Sequence, residues 1–188
     1  MDVTRILEAD HRTVEELFDK IEKAEGAERT PLIEELATNL LAHMALEEEV
    51  VYPKMKPVTG EEPVQEGETE HELAKKALKD VQSLAPDEPG FGAALDALIA
   101  GITHHVDEEE NDVFPKLRSD GEQVLADMAT PFMAKRLALG MPMPAAALAQ
   151  ASSKEELVAE AENAGIDGAS DMKKEELAEA LSEAMAQT

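Results

Sequence analysis

Four histidines, His11, His43, His71 and His105, and two glutamates, Glu47 and Glu109, carry the chemistry open to this sequence. Sliding the chain on itself by about 60 residues aligns EADHRTVEELFDKI with ETEHELAKKALKDV, and HMALEEEVVYPKM with HVDEEENDVFPKL. His11 then matches His71, His43 matches His105, Glu47 matches Glu109, and Tyr52-Pro53 matches Phe114-Pro115. Positions i and i+4 of a helix share one face about a turn apart, so each His-x-x-x-Glu pair can reach a single point. That spacing alone says little in a chain with 42 acidic residues, and His11–Glu15 and His104–Glu108 show it too. The weight lies elsewhere. All four histidines fall on the apolar stripe of their own helices, where imidazoles and carboxylates would be costly to bury unless they bound a cation.

The chain has no cysteine, which excludes disulfides, iron–sulfur clusters, thiolate zinc sites and cysteine nucleophiles together. Four imidazoles and two carboxylates suit iron, with manganese or zinc as alternatives, and no thiolate favours copper(I). The carboxylates can bridge two metals, each keeping two histidines and an open position for a small molecule. His105 rather than its neighbour His104 belongs to this set, because its register places Leu98, Ile102 and Glu109 inward. His104 lies about 100° further round and reads as a supporting or surface residue. Glu8 and Glu68 stand three residues before a repeat histidine. They either add a ligand, orient an imidazole, or are solvated first-turn carboxylates.

The elements that must hold these groups are helical, since Ala, Leu, Glu and Lys dominate and aromatic residues make up 3%. Leu7, His11, Val14, Phe18 and Ile21 mark a bundle helix over about 4–24, closed by Gly26. Pro31 opens a second helix carrying Leu36, Leu40, His43, Glu47 and Val50, which Pro53 is expected to end. Lys56 to Gly67, with Pro57, Gly60 and Pro63, reads as a loop. A third helix near Glu68–Leu84 carries His71, Ala74, Leu78 and Val81, and a fourth near Phe91–Phe114 carries Leu98, Ile102, His105 and Glu109. The expected fold is all-α, an antiparallel four-helix bundle over 1–136 whose trailing helix, about 120–136, is interrupted at Pro131. An Ala-, Met- and Pro-rich linker follows over 137–152, and then a small helical module over 153–188, opened by a Ser153–Glu156 capping box.

Across 188 residues the formal net charge is −25, which argues against nucleic acid or an anionic membrane surface as partner and suits cations. No signal peptide and no stretch of 18 apolar residues is visible, so a cytoplasmic location is the expectation. No phosphate loop or nucleophile triad is present, and any catalysis would be oxidative.

At Asp10-His11, HMALEEEVVYP, Glu70-His71 and HHVDEEENDVFP the chain resembles the hemerythrin-like, or HHE cation-binding, family, over about residues 1–120. The resemblance implies two non-haem iron ions with an oxo or hydroxo bridge. His11 and His43 would bind one, His71 and His105 the other, and Glu47 and Glu109 would bridge them. It further implies a small diatomic or peroxide ligand, with sensing, scavenging or redox protection as the role and peroxide or nitric oxide removal as the activity of an enzyme. The alternatives are an iron storage or sensing protein that signals through its C-terminal module, or a nucleic-acid-associated regulator. Oxygen-carrying hemerythrins have a further histidine one turn after the third-helix histidine, and here that position is Lys75, which puts simple oxygen carriage in doubt. The tail is similar to the N-terminal module of terminator Rho and to SAP-like helix–extended-loop–helix units. Residues 153–188 hold three lysines against ten acids, so a protein partner fits that module better than nucleic acid.

Overall fold

A computed structural model describes residues 1–141 and 143–186, and among them there are helices and no strand. Two helical hairpins form the bundle. The first pairs α1 (Val3–Lys23) with α2 (Arg29–Leu46), and the second pairs α4 (Glu62–Ser83) with α5 (Phe91–Glu108). Short connections make each pair antiparallel. Asp2 caps α1 by accepting from the Thr4 N–H at 3.1 Å, satisfying one of the donors a helix start leaves unpaired.

The second helix of each hairpin continues, the first past Pro53, expected to end it, and the second past Pro115 and the expected end near Phe114. Glu47–Val51 and Glu109–Val113 are π-helical turns leading directly into α3 (Tyr52–Thr59) and α6 (Phe114–Asp120). Their mark is the hydrogen bond spanning five residues, Tyr52 N–H to Glu47 C=O and Phe114 N–H to Glu109 C=O. A proline ring collides with the carbonyl four residues back and offers no N–H. One residue of widening just before Pro53 and Pro115 relieves that collision without stopping the helix.

The stretch 56–67, expected as a loop, is mostly helix, because α3 runs to Thr59 and α4 starts at Glu62 with Pro63 in its first turn. Pro131 likewise does not interrupt α7 (Glu122–Ala138), whose Leu125, Met128, Phe132 and Arg136 are all buried. Burying that face outweighs the hydrogen bond Pro131 removes. Within 137–152, read from composition as a linker, α8 (Ala145–Ala151) packs its buried Ala147, Leu148 and Ala151 in contact with α1, and the Asp2 N–H reaches the Ala151 carbonyl at 2.6 Å.

The last helices, α9 (Lys154–Asn163) and α10 (Lys174–Ala186), are joined by an irregular stretch, and both halves of the Ser153–Glu156 capping box are formed. Leu157, Ala161, Leu177 and Leu181 belong to the same buried cluster as Val3, Ile6 and Leu7 of α1, so this end of the chain extends the core. A second cluster fills the other end of the bundle with Val14, Phe18, Ile21, Leu36, Leu78, Val81 and Leu98. Between the two clusters lies a polar layer. No helix among the described residues is long and apolar enough to cross a membrane.

Candidate metal centre

The polar layer consists of the six residues singled out by the repeat. His11, His43, His71, His105, Glu47 and Glu109 are all buried at the bundle centre. The imidazoles form two pairs, His11 with His43 and His71 with His105, and in each pair the Nε2 atoms are 3.2 Å apart. One Glu47 oxygen, Oε2, lies 3.2 Å from His43 Nε2 and 3.3 Å from His71 Nε2. Glu109 Oε2 lies 3.4 Å from His11 Nε2 and 3.7 Å from His105 Nε2. Each carboxylate therefore stands between one imidazole of each pair.

Acids on the outer side orient three of these imidazoles. His11 Nδ1 meets Glu110 at 2.8 Å, His71 Nδ1 meets Glu48 at 2.9 Å, and His105 Nδ1 meets Glu70 at 2.8 Å. Burial would raise the Glu48 pKa, but Lys75 and His71 hold it below the usual carboxylate range. His11 chiefly, against partial burial and with help from Arg12, does the same for Glu110. An ionised carboxylate can only accept, so the Nδ1 atoms facing these two donate, and a neutral imidazole then presents a bare Nε2 lone pair inward. The Nε2 lone pairs of His11 and His71 face the Nε2 atoms of His43 and His105 and a carboxylate oxygen each, an arrangement that a proton on the partner imidazole or a cation between them satisfies. Both Glu47 oxygens, Glu109 Oε2 and His43 Nδ1 are buried without a hydrogen-bond partner. The nitrogen and oxygen donors separate into two sets that could each hold an ion, His11–His43–Glu47–Glu109 and Glu47–His71–His105.

Without a metal, protons must supply that charge. Burial opposes charging of His43, but Glu47 and Asp10 override it and push the pKa up to about 10. His11 is raised by Glu109 and Glu110, and His71 by Glu47 and Glu48, again against burial. Glu47 is driven well below the usual range, because its attraction to His43 outweighs burial. A histidine whose folded pKa exceeds its unfolded value near 6.5 stabilises fully below 6.5, and the contribution is lost as pH rises through the folded value. Chelator-treated protein should therefore melt at a lower temperature at pH 9 than at pH 6, and an equal or higher melting temperature at pH 9 would contradict it. Metal affinity should move the opposite way, rising with pH as protons cease to compete.

The π turns bring two aromatic rings onto the site. With five residues in the turn, Tyr52 comes over Glu47 and Phe114 over Glu109. Tyr52 stacks on His71 with centroids 5.4 Å apart, and Phe114 on His11 at 5.9 Å. The rings match by position and differ by one hydroxyl. Tyr52 Oη lies 3.1 Å from His71 Nε2 and donates to Glu109 Oε1 at 3.4 Å. Gly67 leaves room for it, since a Cβ there would meet Tyr52 Oη at 2.6 Å and Cζ at 2.9 Å. Gly67→Ala should cost about 1–3 kcal/mol in denaturant unfolding, as overpacking does, and a change under about 0.5 kcal/mol would show that the ring yields freely.

Two spaces adjoin the layer. A cavity of about 130 Å³ reaches His105 and Glu109 past Tyr52, Glu70, Glu108 and Asp112. A smaller one of about 10 Å³ lies against all four imidazoles and is walled by Val14, Leu40, Met44, Ile102 and Val106.

The chain matches the family described as Hemerythrin HHE cation binding domain over residues 2–117, more than half its length. It belongs to the hemerythrin HHE family. A hemerythrin-like protein of Schizosaccharomyces pombe, described as uncharacterized, is 33% identical over 138 residues, which cover 69% of this chain and 68% of that protein. A Nostoc protein described as a DNA nickase is 26% identical over 138 residues, and the match spans 72% of this hemerythrin-like chain but only 39% of the nickase. The crystal structure of a hemerythrin HHE cation-binding domain protein from Mycobacterium kansasii superposes with a TM-score of 0.61 at 23% identity, covering 73% of this chain and 89% of that one. That likeness supports the hemerythrin-like helical fold.

Other positions weighed from sequence fall outside the layer. Glu8 pairs with Arg5 and Arg118, and Glu68 is exposed. His104 is 63% exposed, with its Nε2 at 3.4 Å from both Glu70 and Glu108. Lys75, at the position of the additional histidine, pairs with Glu48 at 2.8 Å and so steadies the acid that orients His71. Sequence reasoning missed Tyr52 as a site residue, the orienting roles of Glu48, Glu70 and Glu110, and the pairing of Asp10 with Arg136. The repeat did contain a signal for the acids, since Asp10 and Glu70 each precede a histidine and Glu48 and Glu110 each follow a central glutamate.

Proposed function

We propose that the six central residues hold two iron ions and that the protein binds or reacts with a small ligand such as dioxygen, nitric oxide or peroxide, in sensing, scavenging or redox protection. The observation carrying this reading is the convergence of buried imidazoles and carboxylates into two sets sharing Glu47, with both Glu47 oxygens and Glu109 Oε2 lacking any hydrogen-bond partner. His11 and His43 would hold one ion and His71 and His105 the other, with Glu47 and Glu109 between them. Nitrogen and carboxylate donors without thiolate fit iron in this role. An iron pair supplies one-electron redox changes and open coordination positions for such ligands.

The chain's own residues determine what can approach. The 10 Å³ space beside the imidazoles has room for about one water-sized group. The larger cavity is lined by Glu66, Glu70, Glu108 and Asp112, which attract cations and repel anions. Tyr52 can donate a hydrogen bond or hold a proton on the His71 side, and Phe114 cannot do so on the His11 side. Admitting oxygen, nitric oxide or peroxide to anaerobically loaded ferrous protein tests the reading. A change in the optical spectrum is expected, and its reversal on removing oxygen would mark binding rather than consumption. No change with any of the three would overturn it.

A second reading, iron sensing relayed to the C-terminal helices, draws on the packing of α8 to α10 into the same core as α1. It expects iron to alter protease cleavage within 137–152. Action on nucleic acid is disfavoured by the ten acids and three lysines of 153–188.

A further inference from the structure

The site has a near two-fold pattern that is broken at the aromatic pair Tyr52 and Phe114 and again at the acids Asp10 and Glu70. Glu70 orients His105 from one position before His71, and Asp10 holds the matching place before His11, facing His43. The matching contacts differ. Glu70 Oε2 lies 2.8 Å from His105 Nδ1, whereas Asp10 Oδ2 lies 3.5 Å from His43 Nδ1, which has no hydrogen-bond partner. Aspartate is a methylene shorter, and both its oxygens are taken by Arg136, from Nη1 to Oδ2 at 2.5 Å and from Nη2 to Oδ1 at 2.6 Å. Arg136 is 1% exposed. It lies one turn beyond Phe132 and two beyond Met128 on the buried stripe of α7, a helix outside the family match over 2–117. On the other side, Glu70 lines the 130 Å³ cavity.

We propose that Arg136 is a positioning residue. By fixing Asp10 in a two-point grip beside His43, it makes the His11–His43 half the closed, slowly exchanging half of the metal centre and leaves the His71–His105 half as the one that opens to the cavity. The inference rests on the iron reading above. A buried arginine–carboxylate pair with both hydrogen bonds made holds its geometry because breaking either bond strands a charge. Asp10 stands beside His43 as a charged neighbour at 3.5 Å rather than as a hydrogen-bond partner, and residues just outside a metal's ligands typically change affinity by 10–100-fold when lost. The helix trailing the family domain thus contributes to the centre through Asp10.

The test uses the full chain loaded anaerobically with ferrous iron alone, then mixed with excess chelator while release is followed. Wild type is expected to release two irons in two phases. Arg136→Met should accelerate the slow phase about tenfold or more and leave the fast phase unchanged. Arg136→Lys, which keeps the charge but not the two-point grip, should lie between them and also guards against a variant that fails to fold. Asp10→Asn combined with Arg136→Met should behave like Asp10→Asn alone, because the arginine acts through that carboxylate. Wild type that takes up no iron would overturn the iron reading and this inference with it. Wild type with two phases, and Arg136 variants with the same two rates, would overturn the inference alone.

Discussion

Glu47→Gln is expected to reduce the metal held by the protein from two ions per chain to fewer than one. Glu47 is fully buried, and the same carboxylate oxygen lies 3.2 and 3.3 Å from one imidazole of each pair. Both candidate donor sets include it. The amide keeps the shape and removes the charge, so each position loses an anionic ligand in a setting where water cannot compensate. Affinity should fall by two orders of magnitude or more, beyond the 10–100-fold typical of residues that only orient ligands. Metal analysis of desalted protein decides it. Two ions retained by Glu47→Gln would show that Glu47 bridges nothing. Glu109→Gln should be milder, since Glu109 Oε2 stands further from its imidazoles, at 3.4 and 3.7 Å, and Oε1 already accepts from Tyr52.

Phe114→Ala should destabilise the metal-free protein by about 3–5 kcal/mol, the range for deleting a buried phenylalanine ring. Phe114 is fully buried, lies in the cluster with Leu117, Leu125 and Phe132, and stacks on His11 with planes 10° apart. The loss is a large fraction of the 5–15 kcal/mol that usually holds a domain together. Denaturant unfolding at pH 7 in chelator measures it, and a loss below about 1 kcal/mol would mean that α6 relaxes into the space. Tyr52→Phe offers the comparison. It preserves the stacked ring and removes only the hydroxyl, so its effect should fall on ligand chemistry more than on stability.

The metal-centre candidates were legible because the internal repeat compared the chain with itself. Matching His11 to His71 and Glu47 to Glu109 separated six residues from a background of 42 acids and a fifth histidine. What escaped was whatever departs from the 3.6-residue period. At that period Val50 is the next inward residue after Glu47, and nothing announces that the backbone will widen and bring Tyr52 round. The prolines and glycines misled for the same reason. Pro53 and Pro115 accompany the π turns, Pro63 sits harmlessly in a first turn, and Gly67 is small because Tyr52 needs its space. Arg136 was invisible because a lone arginine in a helix beyond the repeat has no partner in sequence, and only the packing of Met128 and Phe132 brings it to Asp10.

Two cations are expected to take the place of protons among the four imidazoles and two carboxylates. Iron per chain, measured after anaerobic ferrous loading of wild type, His43→Ala, His105→Ala and the double variant, tests it most directly. The expected values are about two for wild type, about one for each single variant and near zero for the double. Wild type with no iron above background, or single variants that retain two, would contradict it and leave the histidines as a buried polar layer charged by protons alone.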